Sequence, residues 1–185
     1  MAKLILFNMV TLDGYFEGRN ADISWHNVDE EFNEFAIAQM KTAATLMFGR
    51  KTYELMESYW PTNEAINDDP VVAAMMNSFD KIVFSKTLGK AGWNNTRLIK
   101  ENLLEEVKKL KSKPGKDVLI LGSADLSSTL IKHRLIDELR VIINPVILGN
   151  GTPLFKNIDE KTDLQLLKTK VFGNGNVLLS YLIKT

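Results

Sequence analysis

The chain has 185 residues, of which 45% are hydrophobic and 25% charged, enough for one ordinary domain to bury a core without covalent staples. Lysine plus arginine equals aspartate plus glutamate, 23 of each, so no global field draws the molecule to nucleic acid or to an anionic membrane, and any anion site has to be local. The absence of cysteine excludes disulfides, thiolate nucleophiles and cysteine-rich zinc sites, and it fits a reducing, cytoplasmic setting.

Met1 to Val10 is read as a buried first strand, not a leader, because Asn8 interrupts it and no small-residue cleavage site follows. No apolar run approaches the roughly 20 residues that cross a bilayer as a helix. Asn27 or Asp29 caps a helix ending near Thr42, with Glu30 and Glu31 in its first turn and Phe32, Phe35, Ala36 and Met40 on one stripe. Thr45 to Phe48 reads as a strand, Gly49 breaks it, and a helix runs from about Lys51 to Ser58. Asp69 and Pro70 open a helix to about Phe79, and Lys81 to Ser85 is the next strand.

Leu103, Leu104, Val107 and Leu110 recur at helical spacing over residues 102–112, with Glu105 four residues before Lys109, and Pro114 and Gly115 end that helix. Val118 to Leu121 is a buried strand, Gly122 marks the turn, and Ser123 is expected to cap a helix bearing Leu126, Leu130 and Ile131. Glu138 to Ile143 is strand-like and Pro145 to Phe155 is a glycine-bearing loop. Leu164 to Phe172 and Val177 to Ile183 then form a hairpin around Gly173 to Asn176. The expected product is a single domain, residues 1–185, of three-layer α/β fold: a mixed, mostly parallel sheet flanked by helices, closed by an antiparallel hairpin.

In such sheets the ligand crevice lies beyond the carboxyl ends of the strands. FGRKTYE, Phe48 to Glu54, sets Gly49, Arg50, Lys51 and Thr52 at a helix start, where free N–H groups, a hydroxyl and two cations suit a phosphate; capped helix with solvated lysine and arginine is the plainer alternative. IVFSKTL adds Ser85 and Lys86 at a strand end, either a turn or further phosphate donors, and the combination would suit a 2′-phosphate and hence NADP over NAD. ILGSADL places Gly122, Ser123, Ala124, Asp125 and Leu126 at a strand-to-helix turn suited to a pyrophosphate or simply to packing. It is neither the three-glycine dinucleotide fingerprint nor a P-loop.

These three strings, together with TLDGYFEG at Thr11 to Gly18 and LIDELRVIINPVILGNGTPLF at Leu135 to Phe155, occur in the order found in the dihydrofolate reductase-like superfamily. The last string resembles the carboxyl-terminal reductase domain of the bifunctional riboflavin deaminase-reductase (RibD). The resemblance implies an NADPH-dependent reductase of a small heterocyclic, aminopyrimidine or pteridine-like substrate, similar to 5-amino-6-(5-phosphoribosylamino)uracil reductase. NADPH would lie across the carboxyl edge of the sheet, with Arg50, Lys51, Thr52, Ser85 and Lys86 about the adenosine phosphate and Gly122 to Leu126 along the pyrophosphate. The family commonly has a second glycine, often after a cis peptide bond, where this chain has Ser123, so either the bond is held cis by its surroundings or the loop differs.

Asp13, at the end of the first strand, is the leading candidate to orient or protonate a substrate ring nitrogen, or else a turn aspartate before Gly14. Glu30 and Glu31 compete for the acid that folate reductases carry on their first helix, with Glu31 adopted, and Trp25 either stacks on a flat substrate or packs. Gly149 and Gly151 fall in a segment that resembles a substrate-closing loop. His26 and His133 are read as structural, no metal site is expected, and Lys108, Lys109, Lys111, Lys113 and Lys116 are read as a solvated face. Relatives of the riboflavin type associate in pairs, which implies a possible homodimer. The competing readings are a non-catalytic NADP-binding or interaction module, dihydrofolate reductase activity, and reduction of another small carbonyl or imine compound.

Overall fold

The computed structural model describes residues 2–184. Strand β1 (Leu4–Thr11) lies between β6 (Asp117–Leu121) and β7 (Glu138–Asn144), parallel to both. Beyond β6 follow β3 (Ala43–Gly49), β4 (Asp80–Phe84) and β5 (Thr96–Ile99), again parallel. Beyond β7 come β10 (Val177–Ile183) and the edge strand β9 (Leu164–Val171), both antiparallel to their neighbours. The sheet order is thus β5-β4-β3-β6-β1-β7-β10-β9, the mixed and mostly parallel sheet with a closing hairpin that alternation along the chain predicts.

The period-2 geometry of β1 divides the core into two. Leu4 and Leu6 join Val118 and Ile120 beneath α5 (Leu103–Ser112) and α6 (Ala124–Lys132), where Val107, Leu126, Leu130 and Ile131 pack. Ile5, with Leu46, Phe48 and Leu119, faces the other layer: Met40 from α1 (Glu30–Lys41), Tyr53 from α2 (Arg50–Tyr59), and Val72 and Met76 from α4 (Pro70–Ser78). Strand β9, at the edge, keeps large side chains in water, Val171 at 72% and Leu166 at 53% exposure. Lys168 and Lys170 on it are the kind of charge that discourages further strand addition.

Several short elements escape the sequence reading. Strands β2 (Tyr15–Glu17) and β8 (Thr152–Pro153) pair as an antiparallel clip, too brief for a periodic signal. Strand β5 carries just Leu98 and Ile99 as apolar residues, and α3 (Asn63–Asp68) has six residues in all. Of the two candidate caps for α1, Asp29 is the one used, its side chain accepting the Phe32 N–H. The expected Glu105–Lys109 pair is replaced by Glu106, which takes both Lys109 and Arg97. Ser123 precedes α6 as expected but makes no side-chain cap; its hydroxyl is engaged elsewhere, as described below.

A buried lysine closes the end of α4. Lys81 Nζ donates to the carbonyls of Met76 (2.9 Å), Asn77 (3.3 Å) and Phe79 (2.7 Å) and sits 4.4 Å from the centre of the Trp93 ring. Burial pulls its pKa down to about 8, yet it stays charged at neutral pH, where it satisfies carbonyls that the helix cannot. Lys81→Met preserves most of the volume and strands those carbonyls. Urea denaturation is expected to show a loss of about 2–3 kcal/mol; unchanged stability would mean that the ammonium contributes nothing net.

Candidate functional site

The helix starts fall into two groups. Asp29, Thr62 and Asp69 cap α1, α3 and α4 by accepting a backbone N–H in the first turn. The residues before α2, α5 and α6, namely Gly49, Asn102 and Ser123, make no such bond. All three uncapped starts border one cleft of about 420 Å³ at the carboxyl edge of β3, β4 and β6. Free N–H groups at a helix start carry partial positive charge, so their convergence on one space is an arrangement that suits an anion.

The turn between β6 and α6 is held by a clamp that starts on β1. Asn8, buried, accepts the Gly122 N–H at 2.6 Å and donates to the Gly122 carbonyl at 3.4 Å. Gly122 (φ 61°) and Ser123 (φ 65°) are consecutive left-handed residues, and all described peptide bonds are trans, so the loop itself departs from the cis arrangement common in the family. A Cβ on Gly122 would stand 2.7 Å from Thr52, which explains why glycine is needed. Ser123 Oγ accepts the Gly49 N–H at 2.7 Å and donates to Thr52 Oγ1 at 3.0 Å. The serine hydroxyl therefore ties the start of α2 to the start of α6.

Cations ring the same cleft. Arg50, Lys51, Lys86, Lys100 and Lys156 all line it, with Glu17, Glu101 and Asp125. Arg50 lies 3.1 Å from Glu54 in its own helix, and Lys156 pairs with Asp125 at 2.7 Å, while Lys51, Lys86 and Lys100 are exposed. Ser85 Oγ accepts the N–H groups of Thr87 and Leu88, so it forms the turn that its position suggests, at the cleft wall. Thus Gly49, Arg50, Lys51, Thr52, Ser85, Lys86, Ser123, Ala124, Asp125 and Leu126 come together, with Gly122 directly behind them. Lys100, Glu101 and Asn102 were not anticipated because they follow the unrecognised β5; Phe16, Glu17 and Thr152 come from the β2–β8 clip.

The remaining candidates do not line this cleft; they fall into separate sets of contacts, Asp13 with the Leu148–Gly149 loop, Trp25 with Asp22 and His26, and Glu31 with the hairpin turn. Asp13 accepts the Thr11 hydroxyl (2.6 Å) and the N–H groups of Gly149 (2.8 Å) and Leu148 (3.3 Å). The Thr11 hydrogen bond above all, then those backbone donors, holds its carboxyl below the usual aspartate range. Gly151 (φ 149°) packs so tightly that a Cβ would fall 2.3 Å from the Glu17 carbonyl. Glu31 accepts the Gly173 N–H at 2.8 Å and pairs with Lys170 at 2.8 Å, contacts that lower its pKa in that order. Glu30 is exposed on the same turn. Trp25 donates its indole N–H to the Asp22 carbonyl and stands edge-on to His26, ring centres 4.5 Å apart.

A model of the RibD C-terminal domain family matches residues 2–178 of the chain. The uncharacterised Bacillus subtilis protein YyaP is 37% identical over 181 residues, covering 97% of this chain and 94% of YyaP. A putative riboflavin biosynthesis protein from Shewanella sp. PV-4 superposes with a TM-score of 0.77 at 25% identity, each chain covered completely. Dihydrofolate reductase from Enterococcus faecalis, solved with NADP(H), shares the fold at a TM-score of 0.67 and 18% identity, with 99% and 97% of the chains covered. No helix among the described residues is long and apolar enough to cross a membrane.

Two measurements follow from this geometry. His26 Nε2 is buried without a partner, and burial lowers the imidazole pKa from 6.5 to about 4. Because the folded state binds the proton later than the unfolded chain, stability present above pH 6.5 is lost as the pH falls toward 4, by up to about 3 kcal/mol. Denaturation curves across that window are expected to flatten in His26→Phe relative to the parent; parallel slopes would exclude His26 as the source. Asn8→Leu removes the acceptor of the Gly122 N–H and leaves the Gly122 C=O with the Ser127 hydroxyl alone, in a partly buried place, so it is expected to cost about 1–3 kcal/mol and to speed hydrogen exchange at Gly122 and Gly49. Exchange unchanged at Gly49 would show that Asn8 and Ser123 do not act together.

Proposed function

Since the chain belongs to the RibD C-terminal domain family, we propose that it is an NADPH-dependent reductase of a small heterocyclic substrate. The observation that carries the reading is the convergence of uncapped helix starts and cations on one cleft. The residues fit the cofactor: a groove bordered by N–H donors and closed from behind by Gly122 accepts a pyrophosphate, and a separate cation cluster accepts a further phosphate. Arg50, Lys51, Thr52, Ser85 and Lys86 would hold the 2′-phosphate, and Ala124, Asp125 and Leu126 would turn their N–H groups to the pyrophosphate. Gly49, Gly122 and Ser123 shape that groove. When bound, NADPH supplies the hydride.

In this reading the chain binds and orients. Trp25, Asp13 and the Gly149–Gly151 loop form the substrate side, beyond β1. Asp13 is held ionised by Thr11 and the loop amides, so it orients a substrate N–H or a protonated ring nitrogen and does not act as the acid. Glu31, engaged by Gly173 and Lys170, fixes the start of α1 against the hairpin turn. The Asp13 and Glu31 contacts also favour a second reading, a non-catalytic NADP-binding module, since both carboxylates already have donors. Dihydrofolate reductase activity is the alternative on the same scaffold, a cytoplasmic location is the expectation that the lack of cysteine supports, and a homodimer would use a face of the hairpin strands.

Arg50→Ala is the test. By fluorescence titration it is expected to weaken NADPH about tenfold, as for one charge-assisted phosphate contact, and to leave NADH within about twofold. Equal losses would remove the 2′-phosphate assignment. Turnover of a pteridine or aminopyrimidine panel separates the reductase from the binding module.

A further inference from the structure

We propose that Lys156 and Asp125 form an exchangeable ion pair at the cleft, in which Lys156 gives up Asp125 to take the diphosphate of a bound dinucleotide. The proposal rests on the cofactor reading above and adds to it a cation from outside the strand-end motifs.

Among the described residues, Arg50, Lys51, Lys86, Lys100 and Lys156 are the cations that line the cleft, and Lys156 is the one paired with the first turn of α6, where the pyrophosphate is assigned. Its Nζ stands 2.7 Å from Asp125 Oδ1. The lysine arrives there on a fixed main chain. The buried Ser128 hydroxyl, one turn along α6, donates to the Lys156 carbonyl at 2.6 Å. Leu154, two residues earlier, is fully buried in the core, and its N–H donates to the Gly14 carbonyl at 3.1 Å. The Lys156 side chain is itself only 28% exposed, so its stem is largely covered while its ammonium reaches the cleft.

Asp125 is held far less. Its side chain is 79% exposed, and Lys156 is its one side-chain partner among the described residues. An acid in the first turn suits the helix dipole, yet it repels a phosphate that approaches the same N–H groups. Lys156 offsets that repulsion. An ion pair with one partner so exposed is weak, and a single rotamer change turns the carboxylate to solvent. A diphosphate oxygen then offers the fixed ammonium a stronger, charge-assisted contact. Asp125 is thus the anion that Lys156 exchanges for the ligand. Because the diphosphate is common to NADP and NAD, Lys156 has no preference between them, whereas the 2′-phosphate cations do.

The first test titrates the full-length, amide-labelled protein with inorganic pyrophosphate at neutral pH and low salt. Resonances of residues 124–126 and 156 are expected to move, and Lys156→Met to weaken binding about tenfold, its main-chain bond to Ser128 being kept. Resonances that stay, or equal affinity in the variant, overturn the proposal. Asp125→Asn removes the competing anion and is expected to tighten binding about threefold; unchanged or weaker binding overturns the exchange. Lys156→Met made in the Asp125→Asn background is still expected to cost at least about fivefold. No cost there would mean that Lys156 merely neutralises Asp125, and overturns the proposal. The second test repeats the Lys156→Met comparison with NADPH and NADH by fluorescence. Both are expected to weaken alike, within about twofold of each other, unlike the response to Arg50→Ala; a loss confined to NADPH overturns the assignment to the diphosphate. If pyrophosphate behaves as stated and neither dinucleotide binds the parent protein, the exchange stands and the cofactor reading fails.

Discussion

A pair of left-handed residues, Gly122 and Ser123, governs the geometry of the cleft. Their conformation turns the chain from β6 into α6 without using the serine as a cap, which frees its hydroxyl to hold the Gly49 amide and the Thr52 hydroxyl. Asn8 on the central strand fixes the glycine from behind. Helices α2 and α6, otherwise packed on opposite faces of the sheet, are thereby set in one register at its carboxyl edge. A non-glycine residue in the left-handed region costs of the order of 1 kcal/mol or more, and here three hydrogen bonds offset it.

That strain has a functional counterpart in what the helix starts lack. The protein caps α1, α3 and α4 with side chains and leaves α2, α5 and α6 open. The open starts cost stability in isolation, and the natural compensation is a bound anion.

Much of this was legible in the sequence because the main signals are local. Buried apolar strands, glycines at strand ends and the Gly173–Asn176 hairpin signal each follow from short-range chemistry, and they point to the mixed, mostly parallel sheet with its closing hairpin. The residues proposed for the cofactor could be named because each stands at a strand end. What stayed hidden is non-local or short. Asn8 reads as a flaw in an apolar strand until Gly122, 114 residues away, is beside it. Ser123 reads as a cap because capping is what serine does before a helix, and its partner on Gly49 is visible only in three dimensions. The β2–β8 clip and β5 are too brief for periodicity, so Glu17, Thr152 and Lys100 went unnoticed at the cleft. Asp13 stands out by its position at the end of β1, as a residue to orient or protonate substrate or as a turn aspartate, and its contacts with Thr11 and Gly149 become visible only in three dimensions.

We propose that the cleft between the starts of α2 and α6 is built for a dinucleotide with an extra phosphate, and a crystal structure with NADP+ bound is the decisive measurement. Density is expected for the pyrophosphate against the N–H groups of Ala124 to Leu126, with the 2′-phosphate among Arg50, Lys51 and Lys86. A dinucleotide lying elsewhere, or a 2′-phosphate facing solvent away from those cations, would contradict it.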